Sequence, residues 1–198
     1  RLNPSYQPVF MMRRLAAIDP DGPWNAIAKQ TPGMILGNGK HGFAADWIGY
    51  RAVSETSGVF TSAPLGGDFS SYDAIRVYLW AGMTDPRDPL FKPVLNNLQG
   101  MSRVIAAKGM PPEKANVLTG ETEGYSMIGF SAAVVPFLHA LDQPWLADLQ
   151  YKRAREAFDK WQAGTATAPV YYDYMLSLFG LGWADGSYRF ALDGRLQP

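Results

Sequence analysis

Residues 126–141, Ser-Met-Ile-Gly-Phe-Ser-Ala-Ala-Val-Val-Pro-Phe-Leu-His-Ala-Leu, are apolar nearly all round. A helix with that pattern has no face to give to water, so it belongs inside other helices. The next segment reads the other way. Across 144–163, Trp145, Leu149, Ala157 and Trp161 oppose Lys152, Arg153, Arg155, Glu156 and Asp159. That is the one-sided pattern of an outer helix. Residues 170–183 are again apolar on most sides and read as an inner helix. The alternation suggests an all-α architecture of concentric rings, an inner set wrapped by an outer one. Periodicity alone permits a plain helix bundle equally well.

The rest of the chain fits paired helices joined by Gly-, Pro- and polar-rich loops. Residues 8–18 carry Val9, Met12 and Ala16, with Arg13 and Arg14 between, and begin at a proline. Asp19-Pro20-Asp21-Gly22 is a turn. A second helix opens at 23–30 with Trp24, Ile27 and Ala28 on one face, and Thr31-Pro32 is expected to interrupt it. Gly37-Asn38-Gly39 ends the region. Residues 40–69 lack a helical period and read as a loop holding a short two-stranded excursion, either a cleft wall or a surface insertion. Helices are expected at 71–83 and, unbroken, at 89–108, where Leu90, Val94, Leu98, Met101 and Ile105 share a face. Residues 109–124 read as a loop around Pro111-Pro112, and Pro136 as a bend or late stop in its helix. The tail 187–198 has one short strand at Tyr188-Arg189-Phe190.

Composition excludes several functions. The chain has 198 residues, 47% apolar and 13% aromatic, enough for one sizeable core. The formal net charge is +0 without a basic run, so nothing electrostatic favours nucleic acid or an anionic membrane. A neutral, aromatic-rich chain suits an uncharged partner, although most of its aromatics serve a core. The absence of cysteine excludes disulfides, zinc-thiolate sites and thiol nucleophiles. There is no run of roughly 18 apolar residues and no signal peptide. Gly37-x-Gly39 and Gly66-Gly67 lack the frame of a phosphate loop, and His41 and His139 have no second ligand at metal spacing. Ser131 is not in a nucleophile elbow. No cofactor and no metal are expected.

Chemistry concentrates in Ser70-Ser71-Tyr72-Asp73-Ala74-Ile75-Arg76-Val77-Tyr78-Leu79-Trp80. Asp73, Arg76 and Trp80 fall at i, i+3 and i+7, on one helical stripe. Ser70 or Ser71 is a natural N-cap, which puts Asp73 in the first turn, where the dipole and a nearby cation favour an ionised carboxylate. A carboxylate held ionised beside an aromatic surface is what an inverting glycosidase uses to activate water. It is also what an ordinary i, i+3 ion pair looks like.

These strings resemble glycoside hydrolase family 8, most closely the endoglucanases of bacterial cellulose-synthesis operons. Ser71-Tyr72-Asp73-Ala74-Ile75-Arg76 resembles the helix that carries the family's base. Asn3-Pro4-Ser5-Tyr6, Gly42-Phe43 with Asp46-Trp47, Pro111-Pro112-Glu113-Lys114, Gly129-Phe130-Ser131-Ala132-Ala133 and Tyr171-Tyr172-Asp173-Tyr174 recur in the same order. So does Leu178-Phe179-Gly180-Leu181-Gly182-Trp183, and the likeness covers nearly the whole chain. The family's general acid, a Glu in an S-E-G-Q-S-x-G segment, has no match, nor has its A-S-D-A-D segment. Glu55 lacks the Gly-Gln-Ser continuation and does not inherit the acid role.

The resemblance implies an (α/α)6 barrel, present as an incomplete C-terminal portion of one catalytic domain spanning residues 1–198, with its cleft where inner helices begin. It implies inverting hydrolysis of internal β-1,4-glucosidic bonds, with cellulose or cello-oligosaccharides as partner and a periplasmic or secreted setting. Asp73 takes the base role, and Arg76 orients it and keeps it ionised. Tyr72, Tyr6, Tyr171, Tyr172, Tyr125 and Trp47 are the candidate sugar platforms, Trp47 also being suited to packing its own turn. Asp173 is expected to cap its own helix, and Glu121 and Glu123 to be solvated. Such a chain is expected to be inactive alone and to associate with the N-terminal portion of the enzyme or with the cellulose-synthesis machinery. A non-catalytic glucan-binding helical module, or a structural toroid, are the alternatives.

Overall fold

The computed structural model describes residues 1–36 and 39–198; the Gly37-Asn38 part of the expected terminator lies outside them. A short 3-10 turn, Pro4–Tyr6, leads into α1 (Val9–Ile18) and α2 (Trp24–Leu36). An antiparallel hairpin follows, β1 (Ile48–Ala52) with β2 (Gly58–Ser62), pairing Tyr50 with Phe60. This is the excursion expected within 40–69. Next come β3 (Phe69–Ser70), α3 (Ile75–Met83), α4 (Phe91–Asn96), α5 (Gln99–Lys108), β4 (Pro112–Asn116) and β5 (Thr122–Tyr125). The chain continues through α6 (Ile128–Ala140), α7 (Pro144–Gln162) and α8 (Tyr171–Ala184) to a small hairpin, β6 (Arg189–Phe190) with β7 (Leu196–Gln197).

The ring pattern read from hydropathy is present. Helix α6 is packed on three sides, by α3, α7 and α8. Its Phe130, Ala132, Ala133, Val134, Val135, Phe137 and Leu138 are all buried. Helix α1 packs on α3, so α1, α3, α6 and α8 form an inner arc, while α7 lies outside with only Leu146, Ala147, Gln150 and Ala154 buried. Glycines let the inner backbones approach. A Cβ on Gly82 of α3 would overlap the Pro136 and Phe137 backbone of α6, and one on Gly180 of α8 would overlap Ala132.

Three sequence expectations fail for identifiable reasons. Pro32 does not interrupt α2, which runs on to Leu36. An internal proline costs about 3 kcal/mol, and full burial of Met34 and Ile35 beyond it returns roughly 1.5–3 kcal/mol each. The expected single helix at 89–108 is two. It breaks where Gly100 N–H donates to the Gly42 carbonyl at 2.8 Å and Asn97 Nδ2 donates to the Pro32 carbonyl at 3.0 Å, contacts from distant chain that no local pattern encodes. Residues 109–124 are not a loop. Pro112 starts β4, a position where its missing donor is tolerated; β4 pairs Lys114 with Glu123 and Ala115 with Thr122 of β5, and Asn116 with Phe69 of β3, in a three-stranded sheet.

Candidate active site

The starts of the inner helices converge at one end, and the candidate residues lie there. Asp73 is not inside α3. The helix begins at Ile75 after an Ala74 N-cap that offers no side-chain bond. Neither Ser70 nor Ser71 caps it as expected. The cap comes from Asp46, whose Oδ1 accepts the N–H groups of Ser71 and Ala74 at 2.8 Å each, while Oδ2 accepts the Ser71 hydroxyl. A carboxylate takes several donors at once and accepts more strongly than a hydroxyl, so it displaces the local serine cap. Burial pushes the Asp46 carboxyl above its usual range, and the three donors pull part of the way back.

Arg76 donates from Nη2 to Asp73 Oδ1 at 2.6 Å, the i, i+3 pair read from the sequence. The same guanidinium reaches two other elements. Nε and Nη2 donate to Ser5 Oγ at 3.1 and 2.8 Å, and Nη1 donates to Tyr172 Oη at 3.3 Å. It also lies 5.7 Å from the Tyr6 ring centre and 5.9 Å from that of Tyr172. Trp80, the third member of the stripe, donates from Nε1 to the Ser5 carbonyl at 3.1 Å. The stripe therefore docks α3 onto the Pro4–Tyr6 turn.

Four of the six candidate platforms gather around this pair. Tyr172 donates its hydroxyl to the Tyr72 carbonyl, and the two rings stand 6.2 Å apart. Tyr72 donates to Glu113 Oε1 at 2.9 Å, a bond that raises the phenol's proton affinity. Tyr6, 62% exposed, meets Trp47 edge to face at 6.3 Å. Trp47 in turn carries the Arg1 guanidinium at 4.1 Å from its ring centre. Tyr171 and Tyr125 are 78% and 86% exposed, and among the described ring contacts neither joins the cluster. Tyr125 sits on β5 opposite Pro112, beside Glu113, at the outer rim.

The other acids sort themselves. Asp173 lies in the first turn of its own helix, but its Oδ1 accepts from Gly129 N–H, so it caps α6 rather than α8. Burial raises its carboxyl above the ordinary range, and the Arg153 charge opposes this. It also borders a groove of about 590 Å³ between α7 and α8, lined by Lys152, Trp161 and Pro169. Glu121 and Glu123 are exposed. His41 and His139 are both surface residues. Among the described residues no group of three acids or histidines could hold a metal ion, and no helix is long and apolar enough to cross a membrane. Sequence reasoning missed Ser5, Asp46 and Glu113 as site residues. Each lies inside a quoted motif, but their bonds join segments dozens of residues apart.

An arc of inner helices with a carboxylate, a guanidinium and aromatic rings at its helix-start end defines a portion of an (α/α)6 barrel. The chain belongs to glycosyl hydrolases family 8, whose family model matches residues 1–186. It is 46% identical over 207 residues to an endoglucanase of Pseudomonas fluorescens (strain SBW25), covering 100% of this chain and 52% of that protein. An endoglucanase of Escherichia coli (strain K12) is 34% identical, with 100% and 50% covered. The crystal structure of endo-1,4-D-glucanase from Vibrio fischeri ES114 superposes with a TM-score of 0.84 at 31% identity, covering 100% of this chain and 54% of that one. Endoglucanase Cel10 of Klebsiella pneumoniae, at 23% identity and a TM-score of 0.59, shares the fold. The chain thus spans about half the length of the relatives it matches.

Proposed function

We propose that the chain is the C-terminal portion of a single family 8 catalytic domain, and that the complete domain is an inverting endo-β-1,4-glucanase. Asp73 is the base that takes a proton from water under a bound glucose unit, and Arg76 fixes its orientation. Tyr72, Tyr172, Tyr6 and Trp47 offer flat faces to the C–H sides of the sugars, with Tyr171 and Tyr125 further out. The general acid comes from the half of the relatives' length that this chain does not span, at the ~6.5–9.5 Å separation that an inverting reaction requires. The setting is periplasmic or secreted, with a link to bacterial cellulose synthesis. The observation that carries the reading is the position of Asp73: ahead of α3, paired with Arg76, at the end where Tyr72 and Tyr172 converge.

The test is Asp73→Asn in the full-length enzyme. Turnover of soluble carboxymethylated cellulose is expected to fall by at least the ~10²–10⁴-fold attributable to a general base, with cello-oligosaccharide binding retained. Near-normal turnover removes Asp73 from the role. Oligosaccharide binding by a full-length wild-type protein that cleaves nothing would favour the glucan-binding module.

A further inference from the structure

The turn that presents Asp73 is clasped by a second carboxylate. Asp46 is only 8% exposed and lies in the loop before β1. Its three accepted hydrogen bonds come from Ser71 and Ala74, the residues two before and one after Asp73. Asp46 is itself pinned. Its N–H donates to the Phe69 carbonyl at 2.7 Å, and Ala44 N–H donates at 3.1 Å to the hydroxyl of the fully buried Tyr78. Ile48 and Leu2 exchange main-chain bonds at 2.8 and 2.9 Å just beyond. The loop is therefore rigid where it meets the turn.

The division of labour is visible in the geometry. Arg76 holds one oxygen of the Asp73 side chain. Arg76 N–H also donates to the Asp73 carbonyl at 3.3 Å, but that bond lies within the turn itself; the side chain that holds this backbone from outside is Asp46. Helix α3 has no cap from its own N-cap side chain, so without Asp46 the Ser71 and Ala74 N–H groups lose their acceptor and the turn loses its register. Catalytic groups tolerate little misplacement: an error of about 1 Å costs on the order of 10²-fold in rate.

We propose that Asp46 is a positioning residue for the base: its carboxylate caps α3 from a distant loop and thereby sets the direction in which Asp73 points. The proposal rests on the reading of Asp73 as base. It also explains why an aspartate, and not one of the two adjacent serines, caps this helix. One side-chain oxygen reaching in from outside, Asp46 Oδ1, bonds both sides of residue 73 at once.

The experiment compares Asp46→Ala, Asp46→Asn and Asp73→Asn in the full-length enzyme, with kcat and KM measured separately and the melting midpoint recorded. Asp46→Ala is expected to lower kcat by about 10²-fold with KM little changed. Asp46→Asn keeps an oxygen for both N–H groups and is expected to restore most of kcat. If the alanine variant does not fold, Asp46→Glu carries the test, because it keeps the charge but is one methylene too long; its kcat is expected to fall. Wild-type kcat in Asp46→Ala or Asp46→Glu, with Asp73→Asn inactive, overturns the positioning role and leaves the base intact. A folded Asp46→Asn as poor as Asp46→Ala also overturns it, since charge and not the cap would then carry the effect. An active Asp73→Asn overturns the base reading instead.

Discussion

Ser5 and Arg76 are joined by two hydrogen bonds, with Ser5 Oγ accepting from both Nε and Nη2 of Arg76 at 3.1 and 2.8 Å. Ser5 also donates to Asn3 Oδ1 at 2.7 Å. The chain Asn3–Ser5–Arg76–Asp73 thus ties the turn before α1 to the candidate base on the far side of α2 and the β1–β2 hairpin.

Ser5→Ala removes that anchor and leaves Arg76 with Asp73 and Tyr172. A buried hydrogen bond contributes about 1 kcal/mol net. The expected result in the full-length enzyme is a small loss of stability and about a tenfold fall in kcat, the equivalent of ~1.4 kcal/mol in the barrier. Steady-state kinetics alongside thermal melting checks this. An unchanged kcat with a lowered melting point would confine Ser5 to stability.

Arg76→Lys keeps the charge and loses the fork. One ammonium on a flexible stem cannot serve Asp73, Ser5 and Tyr172 at three angles. A fall in kcat of about 10²-fold is expected, larger than for Ser5→Ala because every partner is affected. Equal kcat in wild type and Arg76→Lys would reduce the pair to an ordinary surface contact.

The inner and outer helices were legible because hydropathy reports directly on how many faces meet water. That argument alone places α6, α7 and α8. The Asp73–Arg76 pair was legible because i, i+3 spacing is local. Asp46, Ser5 and Glu113 were not, since nothing in Gly42-Phe43 or Pro111-Pro112 says which turn lies opposite. The same limit explains the split of α4 from α5, which is decided by Gly42 and Pro32. It explains Asp173 too: a first-turn aspartate looks like a cap for its own helix until Gly129 is seen beside it.

Asp173 gives a pH-dependent prediction. Burial raises its carboxyl in the folded protein, so folding favours the protonated form. The associated stabilisation is present below the ordinary carboxylate range and is lost as pH rises through the raised value. The groups facing it are the Gly129 N–H and the Arg153 charge. Asp173→Asn keeps the acceptor and removes the titration. Relative to this variant, wild type should lose stability as pH goes from about 4 toward 7, measured by urea unfolding at each pH. A difference that does not vary with pH would show that Asp173 titrates alike folded and unfolded.

Gly180 sets the closest approach between α8 and α6. Pro136 has no N–H, so the Ala132 carbonyl four residues earlier lacks its helical donor. A Cβ on Gly180 would overlap that carbonyl. Helix propensity alone predicts that Gly180→Ala stabilises by about 1 kcal/mol. Overpacking a filled interface costs about 1–3 kcal/mol, and here the obstacle is rigid main chain at Ala132, in the buried stretch of α6. The overlap therefore wins, and a net loss of about 1–2 kcal/mol is expected in urea unfolding of the full-length protein. Because Tyr172 and Asp173 begin the same helix, displacement of α8 should also lower turnover. A variant as stable as wild type or more so would mean that α8 can shift at no cost, and that the glycine is there for another reason.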